Sequence, residues 1–277
     1  MLVMGVAPVL APLAGGYLAV GLGWRVIFAL LAAIGLATAV LVHLRLDETL
    51  DPSRATATIR PGLILRNYLI VLRDRHFLRY TLSNSCALAG LFAYISGSPF
   101  VLMDLYGVSP EHYGLYFGAN AFGLIGLSQF NRRLLRQFSF HAILPAAFGA
   151  MMVCGLFVPV AGTLHLPLPW FAAGLFLFVS GIGLVGPNSA AGAMSNHPER
   201  AGSAAALFGT MQFSVAALTS GLVSAFHDGT ARPMTWVIGV SAVIAFAIFM
   251  LVKPGAAATA TEQRLTAPAR AFEPDDR

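Results

Sequence analysis

Residues 142–196 contain no Asp, Glu, Lys or Arg, and this stretch constrains the fold more than any other part of the sequence. A single membrane-spanning helix needs only about 20 apolar residues, so the stretch is too long for one crossing. The segment His165–Pro169 contains two prolines and supplies a turn. The sequence therefore predicts two consecutive helices here, each long enough to cross a bilayer.

The composition of the whole chain agrees with this interpretation. Of the 277 residues, 57% are hydrophobic and 10% are charged, whereas a typical soluble domain has roughly 25% charged residues. Lipid solvates the outward apolar faces of a membrane protein, which a soluble fold of this length could not cover with polar side chains. The net charge of +5 does not indicate nucleic-acid binding, because the basic residues lie in short segments between apolar runs. We therefore predict an all-α polytopic membrane protein.

Eight segments qualify as transmembrane helices. They cover about residues 1–22, 24–44, 81–103, 113–130, 142–161, 168–188, 202–226 and 234–252. The first two are separated from the last six by a long polar segment at 45–79. After residue 252 the composition changes to Ala, Thr, Pro and charged residues, which predicts a disordered tail at 253–277.

The basic residues are distributed unequally between the two sides of the membrane. When the segments between helices are assigned alternately to the two sides, fifteen of the 17 Lys and Arg residues fall on one side. Only Arg25 and Arg232 fall on the other. The positive-inside rule makes the richer side cytoplasmic, so both termini and the 45–79 segment are predicted to be cytoplasmic.

The segment Leu63–Arg73 mixes apolar and basic residues at roughly helical spacing. This pattern predicts an interfacial helix that lies on the anionic inner leaflet. A plain linker is the alternative interpretation.

Several short motifs follow one another in a consistent order. Residues 7–16 read APVLAPLAGG, which resembles the antiporter signature of major facilitator superfamily exporters, a Gly-x-x-x-Gly-Pro-x-x-Gly-Gly run, with Pro12, Gly15 and Gly16 at matching positions. The further motifs are Gly23–Arg25, Asp47–Leu50, Ser98–Phe100, Gly107–Pro110, Asn131–Arg136 and Gly186–Asn188. Together they resemble the Bcr/CflA group of drug–proton antiporters, over about residues 1–252.

The resemblance implies a carrier of twelve helices in two six-helix bundles, in which this sequence begins at the fifth helix and lacks about the first four. Residues 1–44 are then the last two helices of the N-terminal bundle, and 80–252 are the complete C-terminal bundle. The 45–79 segment is the cytoplasmic central loop between them.

The function implied by the resemblance is multidrug or antibiotic efflux by proton antiport, as part of a full-length carrier in the bacterial inner membrane. The proton gradient is then the energy source and no cofactor is needed. The implied partners are small amphipathic substrates and the lipid bilayer, and the full-length carrier is expected to be a monomer. The alternatives are a metabolite carrier of the same superfamily and a non-transporting, truncated remnant.

Uncharged polar residues inside the predicted spans are the candidate substrate-binding residues: Asn84, Tyr94, Asn120 and Gln212. By resemblance, the third, fourth, sixth and seventh predicted helices face the central cavity. The alternative role for these side chains is hydrogen bonding between helices, which contributes about 0.6 kcal/mol on average.

Small residues and prolines suggest two mechanical roles. Pro12, Gly15 and Gly16 allow close approach and bending of the first helix, which is expected to seal the cavity against leakage; generic helix packing is the alternative. Gly186 and Pro187 are predicted to form a flexible end of the sixth helix and to act as an inner gate hinge.

The sequence is not predicted to be an enzyme or a metalloprotein. None of its seven His residues has the spacing of a metal or catalytic motif, and H-E-x-x-H, G-x-S-x-G and phosphate-binding loops are lacking. Cys86 and Cys154 lie in apolar stretches and are predicted to be buried apolar residues rather than a disulfide.

Overall fold

The computed structural model describes residue 18 and residues 21–45 and 61–252, and these are almost entirely helical. The all-α prediction is confirmed. The predicted first helix, apart from a few residues, and the predicted tail at 253–277 lie outside the described residues. The chain divides into two units, one ending at Leu63 and the other beginning at Ile64.

The described helices are α1 Trp24–Arg45, α2 Pro61–Arg73, α3 Arg75–Pro99, α4 Pro110–Leu134, α5 Phe140–Thr163, α6 Leu168–Met194, α7 Ala201–Ala225 and α8 Arg232–Leu251. A π-helical segment, Phe100–Leu105, continues α3, and a 3₁₀ turn, Pro198–Arg200, precedes α7. Among the described helices, α1, α3, α5, α6, α7 and α8 are long and apolar enough to cross a membrane. The helix α4 is as long as α7 but is less apolar, because its ends and centre carry more polar residues.

The first unit contains α1, which matches the predicted second helix within one residue. At its start the guanidinium of Arg25 lies 4.8 Å from the centre of the Trp24 ring. This cation–π contact is consistent with the place of Arg25 at the end of a span.

The short helix α2, most of which belongs to the second unit, lies where the sequence predicts an interfacial helix. Its position on a membrane surface stays a prediction. One residue, Asp74, separates α2 from α3 and caps α3, because its side-chain oxygen accepts a hydrogen bond from the backbone N–H of His76 at 2.8 Å. The helix α3 therefore begins at Arg75, about six residues before the predicted start.

The turn predicted at His165–Pro169 separates α5 from α6. His165 has a φ of 50°, and α6 then begins at Leu168. The predicted end of this helix near residue 188 is wrong, since α6 runs without interruption to Met194. A proline costs a membrane helix little when neighbouring groups satisfy the backbone, and Pro187 does not end α6.

The six helices α3–α8 form one bundle with an internal two-fold relation. The helix α3 packs along α7 and α8, as α6 packs along α4 and α5; α3 also contacts α6, and α5 contacts α8. Burial follows the same relation, with fourteen buried residues in each of α3 and α6 but three in α4 and four in α7. The helices α3 and α6 are therefore the centre of the bundle, and α4, α6, α3 and α7 follow one another in a row. This row contains the four helices that are predicted to face the cavity.

Candidate functional site

The candidate site is centred on two side chains that bridge α3 and α4 through an apolar interior. The side-chain nitrogen of Asn120 donates a hydrogen bond to the hydroxyl oxygen of Tyr94 at 2.7 Å, and the two residues are 5% and 1% exposed. A buried amide that lacks a partner costs free energy, so this pairing fixes both side chains. Two of the four residues predicted to bind substrate thus lie in contact.

Aromatic and polar groups extend this pair toward the end of the bundle that contains Tyr106. The ring of Phe117 stacks on Tyr94, with a centroid separation of 6.0 Å and an interplanar angle of 17°. One turn beyond Tyr94, the hydroxyl groups of Ser98 and Tyr113 are 3.0 Å apart. The α3–α4 interface therefore combines two phenol groups, one amide and one hydroxyl beside the ring of Phe117, a mixture of apolar and polar groups that is typical of ligand sites.

The other two predicted residues are not joined to this pair. Asn84 lies ten residues before Tyr94 on α3, about 15 Å away along the axis, and is 3% exposed. Its side chain makes no hydrogen bond to any residue that the structure describes. Gln212 is half-buried near the middle of α7. The structure therefore distributes the four residues over three helices of the row rather than gathering them in one place.

Gly186 and Pro187 lie within α6 rather than at its end. The side-chain oxygen of Asn84 is the nearest group to Gly186, 4.0 Å from a Cβ placed on it, so that face of α6 has space. Their role as a gate hinge stays a prediction. The predicted antiporter motif at Pro12, Gly15 and Gly16 lies outside the described residues.

The sequence interpretation did not pick out a second buried amide pair, Asn131 and Asn188. The nitrogen of Asn188 donates to the side-chain oxygen of Asn131 at 2.8 Å, and the nitrogen of Asn131 donates back at 3.3 Å. Asn188 also donates to the carbonyl oxygen of Leu184 at 2.9 Å. Asn131 begins the motif Asn131–Arg136, and Asn188 ends the motif Gly186–Asn188. These positions were the signal that could have identified the pair.

A polar cluster closes the end of the bundle where α3 begins. The carboxylate of Asp74 lies 2.9 Å from the imidazole nitrogen Nε2 of His197 and accepts a hydrogen bond from Asn196 at 3.3 Å. The ring of buried His76 lies 3.1 Å from the hydroxyl of Ser195. These contacts join the start of α3 to the segment between α6 and α7. None of these residues was predicted, because they fall in segments that the sequence assigns to loops.

Comparison with known proteins identifies the chain. The sequence profile of the Major Facilitator Superfamily matches residues 1–220. The chain belongs to this superfamily. It is a multi-pass membrane protein with the fold of the superfamily's transporters.

Individual relatives agree with the resemblance found in the motifs. A bicyclomycin resistance protein homolog of Haemophilus influenzae is 30% identical over 243 residues, which cover 88% of this chain and 61% of the relative. An uncharacterized MFS-type transporter of Bacillus subtilis, YdgK, is 34% identical over 257 residues, covering 91% and 63%. The multidrug transporter MdfA of Edwardsiella ictaluri is 32% identical over 187 residues, covering 65% and 43%. The chain thus spans about three fifths of the length of the first two relatives.

Proposed function

We propose that this chain forms the C-terminal part of a proton-coupled exporter of small amphipathic compounds, including antibiotics, in a bacterial inner membrane. The arginine-rich end of the bundle, where α3 begins, faces the cytoplasm. The six helices α3–α8 then rock against a second bundle, and substrate binds between the two near mid-membrane.

The geometric observation that carries this proposal is the buried Tyr94–Asn120 pair, which bridges two helices of the row α4–α6–α3–α7. Transporter sites combine an apolar, aromatic lining with few polar groups that orient the ligand. The stacked Phe117 ring and the amide of Asn120 supply both elements. We propose that Asn84 and Gln212 line the same cavity further along the membrane normal.

The names of the relatives support the choice of substrate. A bicyclomycin resistance protein homolog and multidrug transporters are among the similar proteins, so drug export is favoured over metabolite uptake. No Asp or Glu lies in the middle of any helix that the structure describes. We therefore propose that the carboxylate that couples proton flow to export belongs to the N-terminal bundle of the complete carrier.

A chimera tests this proposal. Residues 64–252 replace the corresponding part of the Haemophilus influenzae relative, in a bacterial strain without its own drug exporters, and ethidium efflux is followed by fluorescence. We expect efflux several times faster than in cells with empty vector, and its loss when a protonophore collapses the proton gradient. A chimera that reaches the membrane in the same amount as the relative, as a fluorescent-protein fusion reports, but exports no ethidium contradicts the proposal.

A further inference from the structure

A crevice enters the bundle between α4 and α6 at the end that contains Tyr106. Its outer part is open and has a volume of about 640 Å³; its inner part is a smaller hollow of about 280 Å³. Tyr116 and Ala119 line both parts and therefore connect them. The inner part is lined by Asn120 and mainly by apolar groups such as Leu102 and Phe176, and it is also partly open.

The crevice lies on a different side of α4 from the Tyr94 contact. Its α4 lining consists of His112, Leu115, Tyr116 and Ala119, a set with the spacing of one helical face. Phe117, which stacks on Tyr94, lies 100° around the helix from Tyr116. Asn120 stands between the two sides: its side chain donates to Tyr94, and the residue also lines the inner hollow.

Asn120 leaves one strong hydrogen-bonding group for a ligand. Its nitrogen donates to Tyr94, whereas its side-chain oxygen accepts no hydrogen bond from any residue that the structure describes. A carbonyl oxygen in an apolar hollow gains most from a molecule that brings an N–H or O–H donor. The Tyr116 ring beside it offers a flat surface for stacking.

We propose that the crevice binds a planar aromatic molecule with a hydroxyl or amino group, which donates a hydrogen bond to the side-chain oxygen of Asn120. The molecule lies against Tyr116 and enters between the ends of α4 and α6, on the side of α4 that does not carry Phe117. This binding goes beyond the proposed export: the crevice shares Asn120 with the proposed substrate site, but its occupancy is measured without transport. A lipid acyl chain fits the apolar part but brings no donor for Asn120, so we assign the site to an aromatic donor.

Two matched probes test the assignment: 1-naphthol, which donates a hydrogen bond, and 1-methoxynaphthalene, which does not. Their dissociation constants are measured by ligand-observed NMR with the full 277-residue chain in detergent micelles. We expect 1-naphthol to bind about three- to tenfold more tightly, as one hydrogen bond allows. The variant Asn120→Leu should abolish this preference, and the ratio of the two constants cancels their different uptake by the micelle.

Two further variants keep the test decisive if Asn120→Leu does not fold. Ala119 is exposed, so Ala119→Phe should leave the fold intact but fill the crevice and weaken both probes at least tenfold. Phe122→Ala is the control, because Phe122 is 73% exposed on α4 and does not line the crevice; it should change neither constant.

The proposal is overturned if neither probe binds, if both bind equally, as an acyl-chain site predicts, or if Ala119→Phe changes nothing. Ethidium efflux by the chimera is a separate readout, so the failure of one proposal does not imply failure of the other.

Discussion

The helix α4 contains two buried amide side chains, Asn120 and Asn131, that differ in how completely their hydrogen-bonding groups are satisfied. Asn131 and Asn188 donate to each other, and the Leu184 carbonyl takes a further hydrogen from Asn188. Asn120 instead directs its nitrogen to Tyr94 on α3, and its side-chain oxygen accepts no hydrogen bond from any residue that the structure describes. One pair is closed on itself, and the other keeps an oxygen that we propose to bind a ligand.

This contrast separates a packing role from a binding role among buried polar residues. A closed amide pair satisfies its own groups and holds two helices in register, so its loss should affect stability. An open amide keeps a hydrogen-bonding group available at some cost in stability, so its loss should affect binding. The free energy of unfolding, measured by chemical denaturation in detergent with circular dichroism, distinguishes the two cases.

The largest effect on the free energy of unfolding is expected at Gly183, where α6 lies against the backbone of α4. A Cβ on Gly183 overlaps the carbonyl oxygen of Leu124, and the backbone of α4 cannot give way as a flexible side chain can. Gly183→Ala should therefore lower the free energy of unfolding by about 3 kcal/mol, near the top of the usual range for overpacking. Gly126→Ala on α4 is the matched control, because nothing lies within 4 Å of its Cβ. If both substitutions change the free energy of unfolding by the same amount, the close approach of Gly183 to the Leu124 carbonyl is incorrect.

The closed pair should give the next largest effect. Asn188→Leu leaves the buried amide of Asn131 without its partner and should cost about 1–2 kcal/mol. The double variant Asn131→Leu/Asn188→Leu removes both polar groups and should recover most of that loss. A double variant whose loss equals the sum of the two single losses contradicts the reciprocal pairing.

The open pair should contribute less to stability. Tyr94→Phe removes one hydrogen bond and leaves the ring stacked on Phe117, so we expect a loss of about 0.6 kcal/mol. The control is Tyr68→Phe on α2, whose hydroxyl bonds to no residue that the structure describes, and this variant should be neutral. A loss for Tyr94→Phe as large as that for Asn188→Leu would remove the contrast between the two centres.

The smallest effect, with the opposite sign, is expected at Gly186. It lies one turn from Gly183 on α6, yet a Cβ there meets only the Asn84 oxygen at 4.0 Å. Gly186→Ala should leave the free energy of unfolding unchanged or raise it by up to about 1 kcal/mol, because Ala favours a helix. If Gly186 is also the predicted hinge, the same variant should slow efflux by the chimera. A destabilised Gly186→Ala protein argues against free space on this face of α6.

The fold was largely predictable because long apolar runs report helices directly. The uncharged stretch at 142–196 and the turn at His165 defined α5 and α6 from composition and proline alone. The start of α3 was missed because one side-chain cap, Asp74, decides it. The end of α6 was missed because Pro187 is tolerated inside a membrane helix, although proline usually ends a helix in a soluble protein.

The site was predictable only in part. Polar residue type inside a span identified Tyr94 and Asn120, but nothing in the sequence states that they contact each other across two helices. The pairing of Asn131 with Asn188 also depends on which face of α4 meets α6. Helical spacing gives the faces of one helix, whereas the rotation of one helix against another is decided by contacts such as Gly183 against the Leu124 carbonyl.

The most direct test of the contrast is the rate of ethidium efflux in the chimera, compared between Asn120→Leu and the double variant Asn131→Leu/Asn188→Leu. Because we propose that the open amide contacts substrate, Asn120→Leu should slow efflux by about two- to tenfold, the value of one hydrogen bond. The double variant, which replaces a closed pair by packed leucines, should keep the rate close to that of the unmodified chimera. If Asn120→Leu exports ethidium at the full rate while the double variant loses efflux at equal expression, the assignment of binding to the open centre and packing to the closed one is wrong.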